Sequence, residues 1–550
     1  MNFWNKIQTN LQSGLTVALV SIPLSISLAI ASHTTPVVGI ITAIWAGLIA
    51  SLFGGSNFNI IGPTGALSGV LATYAIAHGA ASLPSLAIAS GLIIIAAYFL
   101  HLERYLIFVP ASTIHGFTLG IACIIVISQL TSALGITGLP THEHCINNLK
   151  EILGHLDMVA LPTAVMFLCT LAGLFISTCS IPSIPSAIII TPIGIALGYF
   201  MHMGYLPYHI QTLGDRFGSI TAQLVHYPSF IYTNSLAQAS IVVALIAILE
   251  TMISARIADG MTKTKHNKKK ELFGLGIANI VSGFVGGMPA TAALARTALN
   301  IKSGATSKLS ATIGSIFIAL ISLALLTYFS FIPMAVIAAI LVYTAYRMIE
   351  HEHFIRMYRL DKMSFGLSLL VAFITIYADP MMGIVCGIAC ALIIFMEQLS
   401  HGHYELEYAQ EPSYAYPGSQ TRQASEDRED GTAEKTYAPL CTLIYSFKGH
   451  LVYINGQTHV ARLETTPTTC KTIIFNLHDL YFIDLDGIDI LDELIEFFEQ
   501  KNITVFIVGT PVHITSLLTT STQYQALHKS GRVLPSVTDA LNSLRTRQTR

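Results

Sequence analysis

The chain has 550 residues, of which 53% are hydrophobic and 11% are charged, and its formal net charge is −2 at pH 7. Soluble proteins carry roughly 25% charged residues, so this composition excludes an ordinary soluble enzyme and predicts a protein embedded in a bilayer. A net charge so close to zero gives no indication of a nucleic-acid partner.

A charge-free stretch occupies the beginning of the chain. No Asp, Glu, Lys or Arg occurs from Ile7 to Leu102. Because a spanning helix needs roughly 20 apolar residues, this stretch alone holds about four helices. The first run is also too long for the apolar segment of a cleaved signal peptide. Fourteen apolar runs are predicted to span the membrane: 13–32, 36–52, 64–79, 84–101, 107–132, 159–179, 186–202, 238–258, 272–286, 291–301, 309–330, 332–346, 363–379 and 380–398.

Two of the apolar regions are interrupted by Gly and Pro in nearly the same way, at residues 54–67 and 286–294. Paired interruptions in the two halves of a membrane protein indicate a transporter binding site. Two helices that begin inside the membrane direct free N–H groups and positive dipole ends at one place, which suits an anion. The alternative is that small residues merely allow close helix packing. The residues predicted to open the two short helices and to bind the anion are Thr64, Gly65, Ala66, Thr291, Ala292 and Ala293.

Glu250 ends the apolar run 241–249 and is predicted to lie well inside the eighth span. An acid at such a depth is costly and functional by default. Ser254 follows one helical turn later, so its hydroxyl is expected to face the same way. A carboxylate beside a hydroxyl suits a coupling cation, either Na⁺ or a proton. The alternative is an acid that pairs with a buried Arg for structural reasons alone.

Arg296 lies in the first turns of the second short helix, seven residues after Pro289. A fixed guanidinium near a helix start would strengthen an anion site. The alternatives are that Arg296 extends to the cytoplasmic interface or that it neutralises Glu250. The sequence contains no Walker motif, nucleophile elbow or zinc signature, so we expect neither direct use of ATP nor an enzyme, and no metal or cofactor beyond the coupling ion.

Lys and Arg residues in the short loops predict the orientation in the membrane. They cluster at 263–270, after the eighth predicted span, and at 347–362, after the twelfth. Cytoplasmic loops carry an excess of these residues, and both loops fall on the same side as the chain termini when fourteen spans are counted. Both termini are therefore predicted to be cytoplasmic.

The character of the sequence changes after Glu397. Residues 402–437 are polar and mainly acidic, which predicts a linker. Strands and helices that alternate over 438–550 predict a separate α/β domain. Its predicted strands are 442–447 paired with 450–454, then 471–477 and 503–508, and its predicted helices are 488–498 and 512–518.

A dense set of matches over nearly the whole chain resembles the SulP family of anion transporters. The most specific segment is Ala258-Asp-Gly-Met-Thr-x-Thr-Lys-His266, followed by Gly276-x-x-Asn279, Ala295-Arg-Thr-Ala298, Asn300-x-x-Ser-Gly-Ala305 and, earlier in the chain, Gly62-Pro-Thr64. The resemblance implies seven plus seven inverted-repeat helices, at about 13–203 and 238–398, within a transmembrane domain that covers 1–401. It also implies an anion held between the third and tenth helices, a homodimer in a bacterial inner membrane, and a coupling acid in the eighth helix at the place of Glu250.

The C-terminal region is similar to the STAS domain of anti-sigma-factor antagonists, which implies a possible cytoplasmic protein partner. The Asp-Ser-Ser-Gly loop of those proteins corresponds here to Asp484-Leu-Asp-Gly487. Both serines are absent, so phosphorylation at this loop is not expected.

The sequence therefore predicts secondary active transport of an inorganic anion by alternating access, with sulfate favoured by the family. Bicarbonate and C4-dicarboxylates are the alternatives within this class. Pro23 is followed by Leu24, where animal members often have Gln, so one wall of the site is more apolar. A passive anion channel and a membrane sensor that signals through the STAS-like domain are the alternatives from other classes. A nucleobase permease of similar architecture is disfavoured by the STAS-like tail and by Arg296.

Overall fold

The computed structural model describes residues 3–102, 104, 110–140, 142, 144–181, 185–205, 208–218, 220, 225–226, 230–232, 234–378, 380–410, 441–465 and 470–548. The chain divides into two compact units, Met1–Ala391 and Leu392–Arg550. Each unit has its own core, and each is described here by itself.

The first unit is almost entirely helical, as the long apolar runs predict. Its helices are α1 (Phe3–Ala31), α2 (Pro36–Phe53), α3 (Gly65–His78), α4 (Leu83–Phe99), α5 (Ala111–Leu134), α6 (Cys145–Gly154), α7 (Leu161–Ser180), α8 (Ser186–His202), α9 (Leu213–Phe217), α10 (Leu236–Thr262), α11 (Lys268–Phe284), α12 (Leu294–Lys302), α13 (Leu309–Phe329), α14 (Met334–Met348), α15 (His351–Leu360), α16 (Lys362–Tyr377) and α17 (Pro380–Ser400), which crosses the boundary between the units. Two short strands, β1 (Ile61–Gly62) and β2 (Thr291–Ala292), interrupt the helices.

A helix lies at each of the apolar runs identified in the sequence. Among the described residues, nine helical segments are long and apolar enough to cross a bilayer, and α8 and α16 are shorter apolar helices. Helices α3 and α12 have only 14 and 9 residues. At 1.5 Å per residue neither reaches across a hydrocarbon core of about 30 Å, so each is a half-helix that begins next to a strand.

The helices of the first unit pack in two groups. In one group, α11 packs against α2 and α4, α13 packs against α1 and α2, and α10 packs against α4 and α12. In the other group, α5 packs against α14 and α16, and α14 packs against α7. Helix α3 contacts both α10 from the first group and α5 from the second. The short helix α3 therefore lies where the two groups meet.

The second unit is an α/β domain built on a mainly parallel sheet. Its remaining elements are β3 (His403–Gln410), β4 (Cys441–Leu451), α18 (Tyr453–Thr465), β5 (Thr472–Asn476), β6 (Leu480–Ile483), α19 (Leu485–Gln500), β7 (Thr504–Val508), α20 (Val512–Leu518), α21 (Thr522–Lys529), β8 (Val533–Leu534) and α22 (Val537–Gln548). The strand order is β3-β4-β5-β7-β8, with β6 also paired to β4. Strand β3 lies at one edge of this sheet, and it is the strand that pairs antiparallel with its neighbour while the other pairs are parallel.

Two predictions for this region are wrong. The predicted linker 402–437 begins with strand β3, whose alternating Tyr404, Leu406 and Tyr408 give the period of two that a strand requires; residues 411–440 of that linker lie outside the described residues. The predicted strand 450–454 is not paired with 442–447. Instead β4 continues to Leu451 and helix α18 begins at Tyr453. The carboxylate of Asp484, which caps α19, accepts a bond from Tyr453 N at 3.2 Å and so supports the first turn of α18.

A buried histidine lies in the core of the second unit. His459 of α18 is 1% exposed, and its Nδ1 lies 2.7 Å from the hydroxyl of Tyr445. Its ring also packs against that of Phe447, with the centroids 5.1 Å apart. Burial, with a smaller contribution from the positive charge of Arg462, lowers the pKa of His459 to about 4. The neutral imidazole can therefore accept a hydrogen bond from the Tyr445 hydroxyl at neutral pH.

The lowered pKa of His459 predicts that the second unit loses stability in mild acid. The unfolded chain binds the proton near pH 6.5 whereas the folded domain resists it until about pH 4. The contribution of His459 to stability is therefore fully present above its pKa in the unfolded chain. It is lost as the pH falls towards its pKa in the folded domain. We expect the free energy of unfolding to fall by about 2 kcal/mol between pH 7.5 and pH 5 from this group alone. Urea unfolding of residues 392–550 at several pH values measures this.

The matched comparison is His459→Gln against His478→Gln, because the His478 side chain is 78% exposed. The first variant should flatten the pH dependence, and the second should leave it as in the wild type. If the free energy of unfolding of His459→Gln depended on pH as steeply as that of the wild type, His459 would not be the cause of the pH dependence.

Candidate functional site

The two interrupted segments meet in the interior of the first unit. Strands β1 and β2 form an antiparallel pair, in which Ile61 is opposite Ala292 and Gly62 is opposite Thr291. Ala293 N also donates to the Ile60 carbonyl at 3.0 Å, which extends the ladder by one bond. Because α3 and α12 follow these strands directly, their N-terminal ends are held side by side by main-chain hydrogen bonds.

Thr64 and Ala293 are the residues that precede the two helices, and neither makes a side-chain cap bond to its own helix. The first N–H groups of an α-helix have no partner within the helix. Gly65 and Ala66, the first residues of α3, are both buried. Two helix starts without side-chain caps therefore direct partial positive charge into a place that water reaches poorly, which favours a bound anion.

The prediction that Thr291 and Ala292 open the second helix is wrong. They form β2, and α12 starts at Leu294 with Ala293 as the preceding residue. Thr291 is fully buried, donates to the Ala247 carbonyl at 2.9 Å and lies 2.9 Å from the hydroxyl of Thr251. These bonds to α10 fix Thr291 in extended backbone. The two prolines are not equivalent either, since Pro63 follows β1 whereas Pro289 precedes β2.

Glu250 and Thr64 are brought into direct contact. The Thr64 hydroxyl donates to Glu250 Oε2 at 3.3 Å, and Thr64 is 7% exposed. Glu250 is partly buried within α10, at the turn that passes the start of α3. The structure thus places a carboxylate next to the helix start predicted to bind the anion. A negative charge at that place opposes the anion unless a cation or a proton accompanies it.

Arg296 is buried in the first turn of α12, with 3% of its surface exposed. Its guanidinium donates to the Pro63 carbonyl, so it does not extend to the membrane surface as one alternative proposed. A Cβ added to Gly62 would lie only 3.0 Å from Arg296 Nη1, which explains why glycine occupies the strand there. The guanidinium also lines a small cavity with Ser21 of α1. The Ser21 hydroxyl is buried and has no hydrogen-bond partner among the described residues.

Arg296 and Glu250 are close enough to interact electrostatically. Arg296 on α12 and Glu250 on α10 therefore both lie beside the start of α3, where Arg296 donates to the Pro63 carbonyl and Glu250 accepts from the Thr64 hydroxyl. Met348, the last residue of α14, lies against Gly65 from the other group of helices. Movement of one helix group against the other would consequently change the surroundings of the two helix starts.

Among the described residues, the hydrogen bonds of the Ser254 hydroxyl go to Asn59 and Thr297 rather than to Glu250, the residue it was predicted to accompany. The hydroxyl oxygen lies 3.0 Å from Asn59 Oδ1 and 3.1 Å from Thr297 Oγ1, and Ser254 is buried. Thr297 Oγ1 in turn accepts from Ile60 N at 3.1 Å. Ser254 therefore belongs to a network that holds the segment before β1.

Glu271 is the central residue of this network, and the sequence reasoning missed it. Its Oε2 accepts from the N–H groups of Gly55 and Ser56 at 2.7 Å each, and its Oε1 accepts from Asn59 Nδ2 at 2.6 Å. Glu271 is 2% exposed although it follows the run Lys268–Lys270. That run made Glu271 look like part of a solvated flank. The position of Glu271 in the first turn of α11, directly before an apolar run, is the signal that could have identified it.

The loop before β2 is held in a comparable way by polar side chains. Asn279 Oδ1 accepts from Ala290 N at 2.8 Å, and Thr42 Oγ1 accepts from Met288 N at 2.8 Å. Gly286 has φ +84°, a left-handed conformation, and a Cβ there would lie 2.0 Å from a main-chain carbonyl oxygen. Only glycine fits this turn without strain. Both interruptions are therefore held by buried or partly buried hydrogen bonds next to the candidate site.

The Glu271 network predicts a stability effect. Glu271→Ala leaves the buried Ser56 N–H, the partly buried Gly55 N–H and the buried Asn59 amide without their acceptor, so we expect a loss of roughly 3 kcal/mol or more and a clearly lower thermal unfolding midpoint. Glu271→Gln keeps an acceptor and should lose less. Glu352→Ala removes an exposed acid and serves as the control. A midpoint for Glu271→Ala equal to that of Glu352→Ala would show that the network carries little stability.

Comparison with known proteins identifies the family. Residues 7–371 match the Sulfate permease family, and residues 432–530 match the STAS domain. The chain belongs to the sulfate permease family. This family member is 30% identical over 538 residues to "Putative sulfate transporter YvdB" of Bacillus subtilis (strain 168), with 96% of this chain and 94% of that protein covered. The prediction of a transporter rather than an enzyme is confirmed.

Two further relatives extend the comparison. The permease is 25% identical over 529 residues to the bicarbonate transporter BicA of Picosynechococcus sp., with 92% of this chain and 89% of that protein covered. Its fold resembles that of the murine Solute Carrier 26 family member A9 anion transporter, solved in the inward-facing state, with a TM-score of 0.83 at 17% identity over 99% of this chain and 92% of that one. The permease is thus a helical membrane protein of this anion-transporter fold with a C-terminal STAS domain.

Proposed function

We propose that this permease carries out secondary active transport of a small inorganic anion, with sulfate as the first candidate. The observation that carries the proposal is the β1–β2 pair, which holds the starts of α3 and α12 together beside buried Arg296 and partly buried Glu250. The anion would bind at the N–H groups of Gly65, Ala66 and Leu294, near Thr64 and Ala293. Thr291 and Ala292 would support the site through β2.

The proposed mechanism is alternating access. The helices of 1–401 would form fourteen spans in seven-plus-seven inverted repeats, about 13–203 and 238–398. The group that contains α10 to α13 would carry the anion and move against the group that contains α5 and α14. The contact of Met348 with Gly65 supports this division, because it lies at the place where the groups must separate.

The coupling ion would act at Glu250. A proton on this carboxylate, or Na⁺ beside it, would remove the charge that opposes an incoming anion. Ser254 would take part through the Asn59 and Thr297 network rather than as a direct ligand. The proposed coupling is therefore symport of the anion with H⁺ or Na⁺.

Sulfate and bicarbonate are the two main candidates for the transported anion. YvdB is named for sulfate and BicA for bicarbonate, and the chain covers most of both. The doubly charged sulfate is the better match to two helix starts plus a guanidinium. A C4-dicarboxylate such as succinate remains in the test because it also carries two negative charges.

The remaining features of the proposal concern assembly and location. The permease would lie in a bacterial inner membrane as a homodimer, with both termini in the cytoplasm according to the positive loops 263–270 and 347–362. The STAS domain, proposed at 438–550, would then be available to a cytoplasmic protein partner.

Uptake by proteoliposomes tests the function. Labelled sulfate, bicarbonate and succinate are supplied in turn under an imposed proton gradient, an imposed Na⁺ gradient, or neither. We expect accumulation of one anion above its external concentration that stops when the gradient is collapsed. Flux that only follows the anion's own gradient would favour a channel. No flux of any anion, together with a partner's response that is lost on deletion of 438–550, would favour a sensor.

A further inference from the structure

Three side chains with metal-binding atoms converge where the start of α5 meets the start of α15. His115 lies in the second turn of α5, Glu350 directly precedes α15, and His353 lies in its first turn. Glu350 Oε2 is 3.8 Å from His115 Nδ1 and 3.4 Å from His353 Nε2. Among the described residues, these three form the group whose ligand atoms all lie within 4.8 Å of one another.

The geometry suits a tetrahedral metal better than it suits hydrogen bonds. Zn²⁺ bound to imidazole nitrogen and carboxylate oxygen at about 2.0–2.1 Å requires ligand atoms roughly 3.3 Å apart. The separations of 3.4 and 3.8 Å are near this value, and small side-chain movements would close the remainder. Both ring nitrogens lie close to the same carboxylate oxygen, at 3.8 and 3.4 Å. The two imidazole rings are stacked with centroids 4.7 Å apart and planes inclined by 22°, so binding of one ion requires a ring to rotate until both lone pairs point at it.

The ligand set and its surroundings agree with a metal of the zinc class. Two imidazoles and one carboxylate form a set that zinc sites use, with a fourth position left for water. The His115 side chain is 14% exposed, whereas those of Glu350 and His353 are 37% and 49% exposed. An ion can therefore reach the group from solvent while one ligand anchors it inside the unit.

We propose that His115, Glu350 and His353 bind a divalent transition metal, with Zn²⁺ as the probe, and that the ion fastens α15 to the start of α5. None of the described residues of α15 is buried. Apolar burial consequently contributes little to the free energy that holds α15 in place. A metal ion bound by both helices would add to that free energy. This site is independent of the anion site proposed above.

The experiment uses the full chain, purified in detergent without a polyhistidine tag and titrated with Zn²⁺. We expect a site that His353→Ala and His115→Ala each weaken by roughly tenfold or more. His351→Ala is the matched control, because His351 lies in the same turn of α15 but packs against Tyr346 instead. Co²⁺ bound in place of Zn²⁺ should give the visible absorption of a tetrahedral site, and hydrogen exchange over 350–360 should slow when Zn²⁺ is added.

His353→Ala decides the outcome even when His115→Ala does not fold, because half of the His353 side chain is exposed and its removal leaves the interior unchanged. Zn²⁺ affinity equal in wild type, His351→Ala and His353→Ala would overturn the proposal. Absence of the tetrahedral Co²⁺ spectrum would overturn it as well. Either result would reduce the group to a histidine stack beside an acid.

Discussion

Arg296→Ala is expected to weaken anion binding by roughly tenfold to a hundredfold, because a hydrogen bond to a charged group contributes about 1.5–3 kcal/mol. The guanidinium is buried and held against the Pro63 carbonyl, so it is already in position when the anion arrives. Arg296→Lys keeps the charge but loses the forked donors and should give an intermediate affinity. The concentration dependence of sulfate uptake measures the anion affinity of the wild type, Arg296→Ala and Arg296→Lys.

The alternative for Arg296, that it merely neutralises Glu250, makes a different prediction for the double variant. If neutralisation were its only role, Arg296→Ala combined with Glu250→Gln would restore affinity because no uncompensated charge would remain. If Arg296 serves the anion, the double variant should bind no better than Arg296→Ala. Thermal unfolding of each variant controls for the lost bond to Pro63. Restored affinity in the double variant would refute the role in anion binding.

The place where the two interrupted segments form a candidate site is predictable from the sequence, but the internal construction of that place is not. Gly and Pro interruptions disrupt helices by known physical rules, so the short helices α3 and α12 are visible in the apolar pattern. The two-residue strands β1 and β2 leave no periodic trace, because a strand of that length has no repeat. The sequence therefore predicts a helix start at Thr291. The hydrogen bonds of the Thr291 hydroxyl to α10 instead keep its backbone extended.

Contacts between distant segments also limit what the sequence predicts for the buried acid Glu271 and for the edge strand β3 of the STAS domain. Glu250 stands out because it directly follows the apolar run 241–249. Glu271 instead follows three lysines, and its burial depends on the loop 55–59 folding over it. Strand β3 gains its place through pairing with β4, a contact between segments that are far apart in the sequence. Local composition indicates a linker there, and only the partner strand decides otherwise.

Glu250→Gln is expected to abolish accumulation while leaving the anion site intact. The amide has nearly the same shape as the carboxyl group and can still accept the Thr64 hydroxyl bond seen at 3.3 Å. It cannot bind a proton at ordinary pH, and it attracts Na⁺ far less than a carboxylate does. A transmembrane gradient of one pH unit corresponds to about 1.4 kcal/mol for each proton carried. Such a gradient can drive about tenfold accumulation of the anion per proton. For a proton-coupled protein we expect this ratio in the wild type and a ratio of about one in the variant.

Exchange of labelled for unlabelled anion across the membrane, with no gradient imposed, separates coupling from binding. Glu250→Gln should still exchange, because loading and movement of the helix group need no net ion flow once the opposing charge is gone. Glu250→Asp keeps a carboxyl group at a shorter reach and should retain part of the accumulation. Gradient-driven accumulation at the wild-type level in Glu250→Gln would place the coupling ion elsewhere, and Glu250 would then be a structural partner of Thr64 and Arg296.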